Sequence, residues 1–444
     1  MYYVIYFYFY PAIGYYIADV TILECSDGYD KKKVIERIKN QLTDKNKELT
    51  IGDDSVRIIS YVDQFYSLID AEAYIKENPI RPTLYSFSIQ WHFTKKCNQH
   101  CVQCYLGSEQ FDGMLKESEL TDSELKLVVD NFYSFCYEIQ ASPVFVLTGG
   151  HPLLSDKLEI ILSHIDNQYR KKGMLSNIFI LGNPQYIEEN IEMLERYNID
   201  SYQISLDGTE KMHDEWRGKG SFAASMQALS ILTKSTISPK IMATLSKKNA
   251  EDIIELYKYL CKNGAPYFAY SRLVPNCSER STDYFQEHFT AIEYKDFLEK
   301  MFSVICEMKE SGYKTQFIFK DHLWKPFLIE KGIWDLDERY GKNRDQELIY
   351  DGCHINQDSL CIGTNGNVYA CMKTKSLLGN VKTNTFEEIY TSKQAEYFRD
   401  LDRYESCSIC KYKHYCRGCH AVSYGVYGDF YKADPQCWIA ESLR

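Results

Sequence analysis

The sequence predicts an α/β protein built on a parallel, incomplete barrel, with a small α+β unit before it and a cysteine-rich region after it. Two observations carry this. From Leu84 onward, short apolar runs alternate with amphipathic helical stretches six times. Such alternation gives βα units and a parallel sheet. Six units are too few for a closed eight-stranded barrel, and ligands are then expected at the C-terminal ends of the strands. The second observation is cysteine placement. Of 16 cysteines, three fall within eight residues at Cys97, Cys101 and Cys104, and eight lie between Cys353 and Cys437.

The elements follow in order. Residues 1–84 read as the small unit: Tyr2–Tyr10 and Gly14–Leu23 as paired strands, Lys31–Leu42 as a helix, Val56–Val62 as a strand and Asp70–Lys76 as a short helix. Pro79 and Pro82 mark a linker. Residues 85–280 form the barrel. Its strands are Tyr85–Phe93, Pro143–Thr148, Asn177–Leu181, Ser201–Leu206, Lys240–Leu245 and Tyr267–Leu273. Its helices are Asp122–Gln140, Lys157–Lys172, Tyr186–Tyr197, Ser221–Thr233 and Ala250–Lys262. Residues 281–345 are charged and helical, a bridging region. Residues 346–444 are rich in Cys and Gly with weak periodicity, and such segments rely on metals as staples.

Composition narrows the function. The 444 residues carry a net charge of −11 with no basic block, which speaks against nucleic acid. The apolar run Tyr2–Tyr10 is too short to span a membrane and lacks the basic start of a signal peptide. The expectation is a cytoplasmic protein without a membrane partner. In that reducing setting, many cysteines point to metal rather than disulfides. Cys25, Cys136, Cys261 and Cys306 read as small buried residues.

Cys97-x3-Cys101-x2-Cys104 resembles the motif of the radical S-adenosylmethionine (radical SAM) superfamily. Clusters normally take four thiolates, so three leave one iron open. The resemblance implies a [4Fe-4S] cluster whose open iron chelates S-adenosylmethionine, yielding a 5′-deoxyadenosyl radical that abstracts hydrogen. It extends to Thr148-Gly149-Gly150-His151-Pro152, where the glycines would bind the methionine amino group. The family usually has an acidic residue where His151 stands. Ser205-Leu206-Asp207-Gly208 and the stretch His213 to Phe222 resemble the segment in which Ser205 contacts ribose and Arg217 the methionine carboxylate. Asn183 would line the same site. Gln103 stands where the family has an aromatic or His against adenine, and Tyr105 would compensate.

The C-terminal group, Cys353-x12-Gly366-x4-Cys371 and Cys407-x2-Cys410-x5-Cys416-x2-Cys419-x17-Cys437, resembles the SPASM domain of peptide-modifying radical SAM enzymes, with one residue fewer between Cys416 and Cys419. The resemblance implies two auxiliary clusters, three in all: a distal one on Cys407, Cys410, Cys416 and Cys437, and a nearer one on Cys353, Cys371 and Cys419. The fourth position of the nearer cluster is open, or filled by Cys361 or Cys277. The alternative reading is a zinc ribbon, built on CxxC pairs with four ligands.

The implied function is maturation of a ribosomally made precursor peptide by a thioether or carbon–carbon crosslink, with residues 1–84 binding a leader segment. An external one-electron reductant such as flavodoxin or ferredoxin is the implied second partner. The alternatives are a protein side-chain maturase of the anaerobic sulfatase-activating type, and a non-catalytic iron–sulfur redox sensor. No residue is assigned as the base or hydrogen donor.

Overall fold

The structure is a computed structural model. It describes most of the chain; residues 10–16, 25–55 apart from Lys33 and Glu36, 78–84, 108–116, 275–287 and 338–348, with a few single positions, lie outside the description. Cys25, Cys277 and, apart from Lys33 and Glu36, the expected helix at Lys31–Leu42 fall there.

Three antiparallel strands open the chain: β1 (Tyr2–Phe9), β2 (Ile17–Glu24) and β3 (Val56–Phe65), in the order β2-β1-β3. Helix α1 (Leu68–Glu77) follows, and Val4, Ile5 and Ala71 are fully buried. Among the described residues, the outer edges of β2 and β3 carry no further strand.

The six expected βα units are present. The strands are β4 (Tyr85–Thr94), β5 (Ala141–Gly149), β6 (Asn177–Gly182), β7 (Ser201–Ser205), β8 (Ser238–Leu245) and β9 (Tyr267–Arg272). All pair in parallel with their sequence neighbours. The helices between them are α2 (Asp122–Glu138), α3 (Lys157–Lys172), α4 (Ile187–Arg196), α5 (Glu210–Arg217), α6 (Ser221–Lys234) and α7 (Ala250–Lys262). A capping box of Thr121 and Glu124 starts α2, worth about 1 kcal/mol. The sheet is unclosed, so the barrel is partial.

Period-two alternation sorts the strand side chains. Ile89, Trp91, Tyr202, Ile204 and Ile241 are buried in the main core. Gln90, Gln203, Ser205, Met242, Thr244 and Ser271 line the cavity of the partial barrel instead.

The C-terminal region does not stand apart from this sheet. Strand β10 (Gln316–Phe317) adds to β9, and β11 (Ser359–Ile362) adds in parallel to β4. Strands β12 (Asn367–Tyr369) and β13 (Leu377–Asn380) continue antiparallel, giving ten strands. Between β9 and β11, α8 (Ala291–Glu310) and α9 (Trp324–Glu330) pack Phe297, Met301, Trp324 and Phe327 into the same core. The edge of β4 is thereby covered by the cysteine-rich region. Among the described residues, no helix is long and apolar enough to cross a membrane.

Candidate functional site

One cavity of about 450 Å³ opens at the C-terminal ends of the barrel strands. Cys97, Cys101, Cys104, Tyr105, Gly149, Gly150, Asn183, Ser205 and Arg217 all line it. The fold thus gathers the first cysteine group and every expected cofactor contact around one space.

The loop after β4 holds the three cysteines, and the turn after β5 supports it. Gly150 donates its N–H to the Thr94 carbonyl (2.8 Å) and His151 to the Lys96 carbonyl (2.6 Å). A Cβ on Gly149 would stand 2.1 Å from the Thr94 oxygen, and one on Gly150 2.2 Å from the Lys96 oxygen. Glycine is therefore required for the turn to dock on the cysteine loop, in addition to any contact with a ligand.

His151 takes a structural place. It is fully buried. The Asn183 N–H donates to its Nδ1 (3.3 Å), so the proton sits on Nε2, which donates to the Gln185 carbonyl (3.0 Å). Burial holds its pKa down at about 4, so the ring is neutral at pH 7. Asn183 in turn donates its side-chain amide to the Asn98 Oδ1 (2.8 Å). The β5 turn, the end of β6 and the cysteine loop form one hydrogen-bonded unit.

Asp207 is a hub that the spacing of residues does not reveal. It is fully buried after β7. Its carboxylate accepts from the Arg217 Nε, from the Gln103 Nε2 (2.6 Å) and from the Thr244 N–H (2.7 Å). Arg217 also directs its Nη1 at the Cys101 sulfur, 3.7 Å away. Burial raises the Cys101 thiol pKa, and the Arg217 charge works against that. Gln103 is thus committed to Asp207. Tyr105 is set by a 3.2 Å hydrogen bond between its hydroxyl and the His92 Nε2.

Two further cysteine groups lie in the C-terminal region. Cys407, Cys410, Cys416 and Cys437 line one small cavity with Arg417 and Gly418. Burial pushes the Cys407 thiol up to about 12 and Cys437 to about 11. Such thiols stay protonated unless a metal takes the thiolate. The second group faces Tyr105: Cys371 and Cys419 pack against Leu273, Val274, Ala421 and Val422, with Tyr105 on the same cluster. Cys353 and Cys371 share a second cluster with Ile355, Ala370 and Phe398. Cys361, in β11, packs with Leu106 and Met372.

The donor sets fit clusters better than single ions. Among the described residues, no three His, Cys, Asp or Glu side chains converge tightly enough to share one ion. Sulfurs on a tetrahedral zinc stand about 3.8 Å apart, given Zn–S bonds of about 2.3 Å, whereas a four-iron cluster is a larger body. All-thiolate donors, in groups of three or four around a space, suit iron–sulfur ligation.

Residues 91–260 match the radical SAM superfamily and residues 353–420 match the SPASM iron-sulfur cluster-binding domain. The chain is a radical SAM protein with a SPASM domain. It is similar to an AdoMet-dependent heme synthase of Methanosarcina barkeri, 26% identical over 356 residues, covering 79% of this chain and 95% of the relative. It is also similar to the mycofactocin maturase MftC of Mycolicibacterium smegmatis, 25% identical over 377 residues, covering 80% and 84%. Among solved structures, anSMEcpe with bound AdoMet shares the fold at a TM-score of 0.61, with 17% identity, covering 81% of this chain and 95% of that one. Streptococcus suis SuiB bound to S-adenosylmethionine does so at 0.57, with 15% identity, covering 98% of both. Iron–sulfur clusters and S-adenosylmethionine are the cofactors of this family of folds.

Proposed function

We propose that this protein is a peptide maturase. It uses three [4Fe-4S] clusters and S-adenosylmethionine to install a crosslink in a ribosomally made precursor, with reducing electrons from a flavodoxin or ferredoxin. Cys97, Cys101 and Cys104 hold the first cluster. Cys407, Cys410, Cys416 and Cys437 hold the distal auxiliary cluster, and Cys353, Cys371 and Cys419 the nearer one. When bound, the first cluster and S-adenosylmethionine supply a 5′-deoxyadenosyl radical, chemistry beyond any side chain. The chain's own residues orient and enclose. Gly149, Gly150, Asn183, Ser205, Arg217 and Tyr105 bind the nucleoside and amino-acid ends of the cofactor. Asp207 fixes Arg217 and Gln103 so that neither reorients during binding. Ala243, Leu273 and Val274, lining the cavity, exclude water from the reacting carbon.

The observation that carries the peptide reading is the unit before the barrel. Its three-stranded sheet lies outside both matched domains and, among the described residues, ends in two strand edges. An extended leader segment can add to such an edge through main-chain hydrogen bonds. The fold likeness to SuiB spans nearly the whole chain, this unit included. A second reading, action on a tetrapyrrole, is favoured by the heme synthase likeness. Lys320 and Lys373 at the cavity wall would suit its carboxylates.

The test is deletion of residues 1–84 from the reconstituted enzyme, with any short peptide encoded beside its gene, and an iron porphyrin, as the ligands tried. The expected result is loss of peptide binding by tenfold or more, with reductive cleavage of S-adenosylmethionine retained. Cleavage should vanish in the Cys97→Ala/Cys101→Ala/Cys104→Ala variant. Tight binding of an iron porphyrin, with no peptide bound, would move the assignment to the tetrapyrrole reading.

A further inference from the structure

Arg417 stands between Cys416 and Cys419, the third and fourth cysteines of the compact C-terminal group. It is 3% exposed. Its Nη1 and Nη2 find no hydrogen-bond partner among the described residues. Only its Nε is engaged, donating to the Cys416 carbonyl at 3.4 Å. The backbone holds it at φ 83°, a left-handed conformation that side-chain-bearing residues rarely adopt.

Among the described residues, the half-buried Arg217 and the buried Arg272 behave differently. Arg217 is bonded to buried Asp207, and Arg272 to Asp321 and Asp434. A guanidinium cannot shed its proton in a protein. Leaving it buried without an anion is costly. An anion must therefore come from something the fold is built to hold. Arg417 lines the small cavity of Cys407, Cys410, Cys416 and Cys437. Its Nε and the N–H of Cys353, of the nearer group, both donate to the Cys416 carbonyl, each at 3.4 Å. It lies between the two auxiliary cysteine sets.

We propose that Arg417 is the built-in counter-cation of the auxiliary cluster sites, aiming two guanidinium donors at cluster sulfur and favouring the reduced, more negative state. This rests on the reading that the two cysteine groups hold iron–sulfur clusters. A cluster with four thiolates is anionic, and taking up one electron adds one negative charge. Net charge and hydrogen bonds to sulfur set such potentials. Arg417 is a positioning and tuning residue, not a catalytic one.

The test uses the full chain, reconstituted anaerobically, as wild type, Arg417→Gln and Arg417→Lys. Iron and sulfide are measured first; a wild type without auxiliary iron would defeat the cluster reading itself, independently of Arg417. Titration with a one-electron titanium(III) reductant, followed by electron paramagnetic resonance, then gives each midpoint. Arg417→Gln should lower an auxiliary midpoint by a tenfold change in the oxidised-to-reduced ratio, which is 59 mV for one electron. Arg417→Lys, which keeps the charge but not the fork, should fall between. The cluster on Cys97, Cys101 and Cys104 should not move. Full iron content with unmoved auxiliary midpoints in Arg417→Gln overturns the proposal. Should that variant lose auxiliary iron, Arg417→Lys decides: an intermediate midpoint with full iron supports it, and an unmoved midpoint, or equal iron loss, shows that Arg417 only packs the loop.

Discussion

Arg272 and Asp434 meet through two parallel hydrogen bonds, Nη1 to Oδ1 at 2.9 Å and Nη2 to Oδ2 at 2.6 Å. Arg272 ends β9 of the barrel, and Asp434 lies three residues before Cys437. Both are almost fully buried. The same carboxylate accepts the N–H of Cys419 at 2.8 Å, and Arg272 also bonds Asp321 at 2.8 Å. One bidentate pair thus fixes two auxiliary cysteines relative to the barrel. Removing one member leaves the other charged and buried, at a cost of about 3–5 kcal/mol. Arg272→Met should therefore lower the thermal midpoint by several degrees and reduce auxiliary iron, while the first cluster keeps its iron. Differential scanning calorimetry and iron analysis check this. Full auxiliary iron in a stably folded variant would show that the pair does not position those cysteines.

Much of this arrangement was legible in local pattern, and its junctions were not. Helix Lys157–Lys172 and helix Ala250–Lys262 have the limits that their periodicity gives. Apolar runs ending in Gly149-Gly150 or Asn183 locate strand ends, because strands and turns write their signals within a few residues. The four-residue β11 is different. Its Cys361 pairs with Gln90 of β4, and nothing local announces a partner so distant. Asp207 was hidden for the same reason. Its three donors, Gln103, Arg217 and Thr244, come from three separate segments. The helix α5, which presents Arg217, is eight residues long and buries only His213 and Trp216, too few positions to announce it. His151 departs from the family's acidic residue, and its buried partners Asn183 and Gln185 show why a neutral ring serves there.

His151 also predicts a pH dependence. Its pKa in the folded protein is about 4, against about 6.5 in the unfolded chain. Between those values the unfolded state binds the extra proton, so stability rises with pH. The folded state is therefore at full strength above about pH 6.5 and loses stability as the pH falls toward 4. His213, also lowered to about 4 by burial, adds in the same direction. His151→Gln keeps a side-chain amide near the same partners but does not titrate. It should show a shallower loss of denaturant midpoint between pH 7 and pH 5 than wild type. Acid effects on the clusters are common to both proteins and cancel in the comparison. Parallel curves for the two would remove His151 as a contributor.

The last prediction concerns the fourth position of the proposed nearer auxiliary cluster. Cys361 is the described cysteine best placed to fill it, since it lies near Cys371. Its surroundings argue against ligation. The thiol packs against Leu106 and Met372; burial drives it up to about 12, as it does the expected ligand Cys371, so the difference between them lies in the neighbouring charge. The three expected ligands each have a cation in reach: Arg417 for Cys353, Lys373 for Cys371, and Arg272 with Lys373 for Cys419. Thiolates form where positive charge favours them, and among the described residues no cation acts on Cys361. Cys361→Ala should then keep full iron and cost about 1 kcal/mol as a small buried residue. Cys353→Ala should lose about four irons, the content of one cluster. With Cys361 out of the ligand set, an external thiolate could occupy the fourth iron. A cysteine-containing precursor should then perturb the nearer cluster's resonance signal, and a serine-substituted precursor should not. Loss of about four irons in Cys361→Ala would instead make Cys361 a ligand, close that iron to substrate, and favour carbon–carbon over thioether crosslinking.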